Sequence, residues 1–146
     1  MRILIDIGHP AHIHYFKNFI NIMKKEGHHI HLVARSKKII VQLLNYYKID
    51  YSSRGRGSDN IIGKLINMIK ADYLIFRISL LFKPDLFLSF GSMYSSHVSF
   101  LLNKPHFALD DTEASKFQHL LYVPFTNIIL TPTSFQKNFG NKHIRF

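Results

Sequence analysis

The sequence predicts an α/β fold, a doubly wound parallel sheet with helices on both faces. Three observations predict it. Short apolar runs without alternation recur, as in Ile3-Leu4-Ile5 and Leu86-Phe87-Leu88, the pattern of strands covered on both sides. Between them lie longer segments with apolar residues at i, i+3, i+4 and i+7, the period of a helix with one face in a core. The two kinds of segment alternate from end to end, six predicted strands with five predicted helices, as in sheets built from βαβ units. The right-handed crossover rule then gathers the loops that follow strands at one edge, and open α/β sheets bind ligands there.

The first strand is predicted over 3–7 and opens through Gly8-His9-Pro10-Ala11-His12-Ile13-His14 into a helix from about Tyr15. The helix stripe is Phe16, Phe19, Ile20 and Met23; Lys24 and Lys25 suit its negative end and Gly27 its stop. The second strand is 30–34, with His29 and His31 on one face. Ser36 is the expected cap of a second helix with the stripe Ile40, Leu43, Leu44 and Tyr47. A short third strand over 49–52 leads to Arg54-Gly55-Arg56-Gly57-Ser58-Asp59, which reads as the most flexible and most basic loop.

The third helix, 60–82, is apolar on most sides, and Lys64, Lys70, Asp72 and Arg77 exclude a membrane span. It reads as a crossover helix packed deep in the fold, with a membrane-surface or partner face as the lesser alternative. A strand over 86–90, a helix over 94–102, a strand over 107–109, a helix over 114–122 and a strand over 128–130 follow. A helical turn near Phe135 closes a single domain over 1–140.

At 146 residues the chain is long enough for a sizeable core. It has no cysteine, which excludes disulfides, thiolate metal sites and a cysteine nucleophile and fits a cytoplasmic location. The net charge is +10 with histidines neutral, and its even spread predicts a diffuse attraction to anions, including peripheral contact with the inner face of a membrane. Most aromatic residues sit on apolar stripes rather than among the basic ones, which argues against nucleic acid as partner. There is no GxGxxG and no Walker A pattern, so dinucleotide and P-loop binding have no support.

Three groups of residues carry the chemistry. His12 lies at a strand's carboxyl end and is the first candidate for a general base or a hydrogen-bond donor, because imidazole titrates near neutral pH; the plainer alternative is a helix cap. His14, two residues on, is a candidate substrate contact. Asp110, Asp111 and Glu113 put three carboxylates in four positions. Asp111 is the second candidate base, and Asp110 and Glu113 are candidate substrate contacts, although helix capping explains one or two of the acids. Gly91-Ser92 sits at a strand-to-helix turn suited to an anion, and Arg54 and Arg56 are candidates to grip a phosphate. Asp6 is expected to hold its loop by accepting backbone N–H groups. His9, His12 and His14 lack a metal-binding spacing, so no metal is expected.

Together these segments resemble a known family. The opening Met1-Arg-Ile-Leu-Ile-Asp-Ile-Gly-His-Pro-Ala-His-Ile-His-Tyr-Phe16, Gly27-His28, Ala34-Arg35, Lys83-Pro84-Asp85, Ser89-Phe90-Gly91-Ser92, Asp110-Asp111-Thr112-Glu113 and Leu130-Thr131-Pro132 are similar, in order, to the DUF354 family. That family is similar to GT-B glycosyltransferases and UDP-N-acetylglucosamine 2-epimerases. The resemblance implies two Rossmann-like domains, of which this chain is the N-terminal, acceptor-side one in a GT-B fold. It implies a nucleotide-sugar donor as substrate, bound mainly by a C-terminal domain supplied in cis or as a separate chain, with no other cofactor. A sugar or lipid-linked acceptor is the implied partner, in surface polysaccharide or glycolipid synthesis, with UDP-sugar 2-epimerisation or anion binding without catalysis as alternatives. Family members are about twice this length, so 141–146 is the expected start of a linker, and the chain alone is expected to lack turnover. Where the family often has Asn-Pro-Pro this chain has Gly8-His9-Pro10, so His9 inherits no role. By analogy with the Gly-His-Val stretch of the lipid II-forming transferases, their histidine falls on His12.

Overall fold

An apolar strand with no polar face needs cover on both sides, and the chain supplies it. The computed structural model describes residues 1–57 and 60–146. Seven strands form one sheet: β1 (Arg2–Ile7), β2 (His29–Ala34), β3 (Tyr51–Ser53), β4 (Leu86–Phe90), β5 (His106–Leu109), β6 (Ile128–Thr131) and β7 (His143–Arg145). The helices are α1 (Pro10–Lys25), α2 (Lys38–Tyr46), α3 (Ile61–Phe82), α4 (Met93–Leu101) and α5 (Lys116–Tyr122). Every ladder is parallel, and the order is β3-β2-β1-β4-β5-β6-β7. The chain winds outward from β1 to β3, then returns to β4 beside β1. Loops after β1 and β4 therefore diverge and leave a crevice at this switch point.

Alternate residues of each strand serve opposite layers. Ile3, Ile5 and Ile7 pack with Ile13, Phe16 and Ile20 of α1 and with Ile40 and Leu44 of α2. Leu4, Val33 and Phe87 face the other way, onto Ile75 of α3 and Val98 of α4. Tyr122 of α5 covers Ala108 and Ile129 on that same side. Two helices thus cover one face and three the other, with the site elements carried at the carboxyl edge between them.

Several local expectations are corrected. Helix α1 begins at Pro10 rather than near Tyr15, because proline at the first helical position has no N–H to leave unpaired. The His9 side chain caps it, accepting the Ala11 N–H at 3.3 Å. Ser36 does not cap α2; Lys37 stands there without a side-chain bond, and the Ser36 hydroxyl bonds that of Ser53 instead. The helical turn expected near Phe135 is a single hydrogen-bonded turn, the Phe135 N–H donating to the Pro132 carbonyl at 3.0 Å, and a separate 3-10 helix comes at Gly140–Lys142. Residues 143–145, read as the beginning of a linker, pair with β6 as a seventh strand. Helix α3 packs deep along only one face, through Ala71, Ile75 and Ser79. Its other side is exposed, with Ile62 74% and Ile69 61% accessible. Of the basic loop after β3, Ser58 and Asp59 lie outside the described residues.

Candidate functional site

The crevice is organised by one carboxylate. Asp6, near the end of β1, is 1% exposed, and a buried charge has to be paired. Its partners are side chains rather than the backbone N–H groups expected. Arg54 Nε donates to Oδ1 at 2.7 Å, and the Ser92 hydroxyl donates to Oδ2. The flexible-loop reading of Arg54 is therefore corrected, since its side chain is only 7% exposed. Its guanidinium also lies over the Tyr94 ring at 4.3 Å from the centroid, a favourable placement for a cation. Gly8 leaves room for it: a β-carbon there would stand 3.3 Å from an Arg54 terminal nitrogen and 3.9 Å from the His12 ring. Arg54 and His12 thus meet across one glycine. Arg56, two residues on, is exposed.

His12 lies in the first turn of α1, not in a loop. Its Nδ1 accepts the Gly8 N–H at 3.3 Å, and its ring stacks on Phe90, centroids 4.6 Å apart and planes 20° apart. An Nδ1 that accepts leaves the proton of the neutral ring on Nε2. This tautomer is assigned from the bond geometry. Burial, then the neighbouring His9, push the His12 pKa down to about 4, against the pull of Asp6 and Asp111. At neutral pH the residue is therefore an uncharged donor through Nε2. His14 is exposed and within 3.4 Å of the Tyr47 hydroxyl. Residues two apart on a helix point about 200° apart, so His14 turns away toward the end of α2.

Gly91 and Ser92 form the β4–α4 turn. Gly91 takes a φ of +50° beneath Gln118, which donates to its carbonyl at 2.7 Å. Ser92 caps α4, accepting the Ser95 N–H at 3.3 Å. A polar chain runs back from it through the core. Ser89 accepts the Ser92 N–H at 3.1 Å and bonds His106 Nε2 at 2.9 Å. His106 Nδ1 bonds Thr126 at 2.9 Å. Burial drives the His106 pKa down to about 3, so this ring is a neutral strut.

The three carboxylates after β5 divide their work. Asp110 is buried, accepting from the Thr112 N–H at 2.9 Å, His119 Nε2 at 2.9 Å and the Tyr122 hydroxyl at 2.5 Å. Lys137 donates to the other nitrogen of His119 at 3.0 Å. Burial, then Asp110, hold the Tyr122 phenol well above its usual range. Glu113 accepts the Gln136 N–H at 2.8 Å and ties this loop to the segment after β6. Asp111 alone is exposed; it accepts the Thr112 hydroxyl at 3.0 Å, and its charge is felt at His12.

Of the residues singled out from sequence, His12, Arg54, Ser92 and Asp111 come together at the crevice. His14 and Arg56 lie outside it, while Asp110, Glu113 and Gly91 sit within its supporting structure. Phe90 and Tyr94, the platforms under His12 and Arg54, were missed; an aromatic residue at a strand end or helix start carries no sign of what will stack on it. Among the described residues no three His, Asp or Glu side chains converge as metal ligands.

This architecture, with its crevice at the β1/β4 switch point, is a Rossmann-like domain of the GT-B type. The chain belongs to the family described as "Protein of unknown function (DUF354)", which it matches over residues 1–143. An uncharacterized protein of Methanocaldococcus jannaschii, MJ0665, is 26% identical over 142 residues, covering 94% of this chain and 40% of that protein. MurG of Acinetobacter baumannii superposes with a TM-score of 0.74 at 14% identity, covering 94% of this chain and 43% of MurG. The UDP-GlcNAc 2-epimerase of Neisseria meningitidis, bound to UDP-GlcNAc, gives 0.75 at 15%, covering 99% and 45%. At such identities the likeness is one of fold. The chain spans less than half the length of each of these proteins.

Proposed function

We propose that this chain is the acceptor-side half of a GT-B glycosyltransferase that uses a nucleotide sugar, in surface polysaccharide or glycolipid synthesis. The observation that supports it most is the approach of a buried, carboxylate-anchored Arg54 and the His12 ring on the two sides of Gly8, with the charge of the exposed Asp111 acting on His12. In transfer, an acceptor hydroxyl attacks the anomeric carbon while the bond to the nucleoside diphosphate breaks. The diphosphate leaves with the electron pair, and the hydroxyl proton needs a base. Asp111 is that base in this reading, because the low pKa and Nε2–H tautomer of His12 suit it to donate. Arg54 and His12 offer N–H groups to the oxygens that carry charge, and Ser92 opens α4 toward the same space. Gly91, Asp110 and Glu113 hold the turns under the substrate; His14 and Arg56 reach a longer, lipid-linked acceptor at the periphery. The nucleotide is held mainly by a C-terminal domain, in cis or on another chain.

The test is turnover of UDP-sugars by the complete native gene product, with and without acceptor. His12→Ala is expected to lower kcat by about 100-fold or more, as loss of a preorganised donor does. Asp111→Asn is expected to lower it by about 100-fold. Wild-type turnover in both variants would remove these roles. Interconversion of a UDP-sugar with its 2-epimer, with no acceptor required, would replace transfer by epimerisation.

A further inference from the structure

Helix α3 carries two apolar faces, and the core uses only one. Ala71, Ile75 and Ser79 are buried against the sheet. On the opposite side Ile62, Ile66, Ile69, Tyr73 and Leu80 are 74%, 47%, 61%, 57% and 52% exposed. Their spacing of i, i+4, i+7, i+11 and i+18 makes one straight stripe about 27 Å long. Scattered exposed apolar residues need no explanation, but a continuous stripe of this kind marks a contact surface.

The charges beside the stripe say what it contacts. Lys70 and Arg77 flank it and are exposed, and the Arg77 guanidinium lies 5.9 Å from the centre of the Tyr73 ring. The one acid of α3, Asp72, is turned inward onto His97 at 3.1 Å. A second copy laid on this stripe would bring two rows of cations together around the apolar contact. An anionic lipid surface would take both features at once. Because the far face of α3 is fixed in the core, the helix can only lie along such a surface, the arrangement of interfacial amphipathic helices. No helix among the described residues is long and apolar enough to cross a membrane.

We infer that α3 docks the domain side-on to an anionic lipid surface. Ile62, Ile66, Ile69, Tyr73 and Leu80 enter the headgroup–acyl boundary, and Lys70 and Arg77 meet headgroup phosphates. The net charge of +10 adds long-range attraction. The inference is independent of which reaction the crevice performs.

The experiment is co-sedimentation of the chain with vesicles of phosphatidylcholine alone and of phosphatidylcholine with one part in three, roughly, of phosphatidylglycerol. Binding is expected to the second and not the first. Lys70→Glu with Arg77→Glu should weaken it by about 25-fold or more, at about fivefold per cation. Ile69→Glu with Tyr73→Glu should abolish it, while Tyr46→Glu, at an exposed position of α2, should leave it unchanged. Circular dichroism of each variant checks the fold. Equal binding by both double variants, or none by the wild-type chain, would overturn the inference. So would a wild-type dimer, seen in sedimentation velocity without lipid, that Ile69→Glu with Tyr73→Glu makes monomeric. Single-stranded RNA that competes with vesicles for a site unaffected by the stripe variants would overturn it too.

Discussion

Arg54→Met tests the organisation of the crevice most directly. The substitution keeps most of the side chain's length and packing while removing the cation 2.7 Å from Asp6. The Asp6 side chain is 0% exposed, so it cannot recover its hydration without the structure opening. Breaking a buried ion pair by removing one partner costs about 3–5 kcal/mol, most of it the stranded charge. For 146 residues the unfolding entropy is about 0.3 kcal/mol/K. The expected drop in Tm is then about 10–17 °C, read by thermal denaturation with a urea titration alongside. Asp6→Asn in the Arg54→Met background removes the stranded charge and should recover more than half of the loss, the signature of a coupled pair in a double-mutant cycle. A loss below about 1 kcal/mol, or no recovery in the double variant, would mean that the pair is hydrated and that Arg54 is not held as described.

His106 should make the fold acid-sensitive. Its folded pKa, about 3, lies below the ordinary 6.5, so the unfolded chain binds its proton more readily. Its contribution is whole above pH 6.5 and is lost as pH falls toward 3. At pH 5 the loss amounts to about 2 kcal/mol, and His12 adds to it in the same direction. Urea midpoints at pH 7 and pH 5 should differ by that much more in wild type than in His106→Asn, and equal differences would refute the assignment. Gly91→Ala should destabilise by about 1–2 kcal/mol, because φ is +50° and the new methyl would meet Gln118 at 3.1 Å; an unchanged Tm would show that the turn relaxes. Tyr122→Phe should cost about 1–3 kcal/mol by removing a buried donor from Asp110, and an unchanged urea midpoint would mean water replaces it.

The parallel sheet was legible because its central strands are apolar runs, as in Ile3-Leu4-Ile5 and Leu86-Phe87-Leu88. Leu86–Phe90 is found as predicted, and the remaining strands shift by one or two residues. β7 was not, because His143–Arg145 has three residues and one apolar side chain. It is a strand only because β6 offers it an edge. The start of α1 was hidden by its own composition: three histidines around a proline read as a loop, although proline at the first helical position is itself a start signal. Arg54 between serine and glycine carries no local sign of burial, since its partner is 48 positions away. Conversely, the apolar residues of α3 read as core because hydrophobicity records that a face needs cover, not whether this chain provides it. The placement of His12 and Asp111 at the carboxyl edge followed from their positions after β1 and β5. The direction in which His12 donates did not, since it depends on the Gly8 N–H.

The carboxylate of Asp6 joins three crossovers, and this bears on the order of folding. Its two partners are 48 and 86 positions away, so both bonds close long loops and cannot form before the β1–β2–β3 and β1–β4 pairings are in place. A chain caught midway would have its sheet but no anchored cation, no fixed Ser92 and no competent crevice. A ligand would then meet either a finished crevice or none.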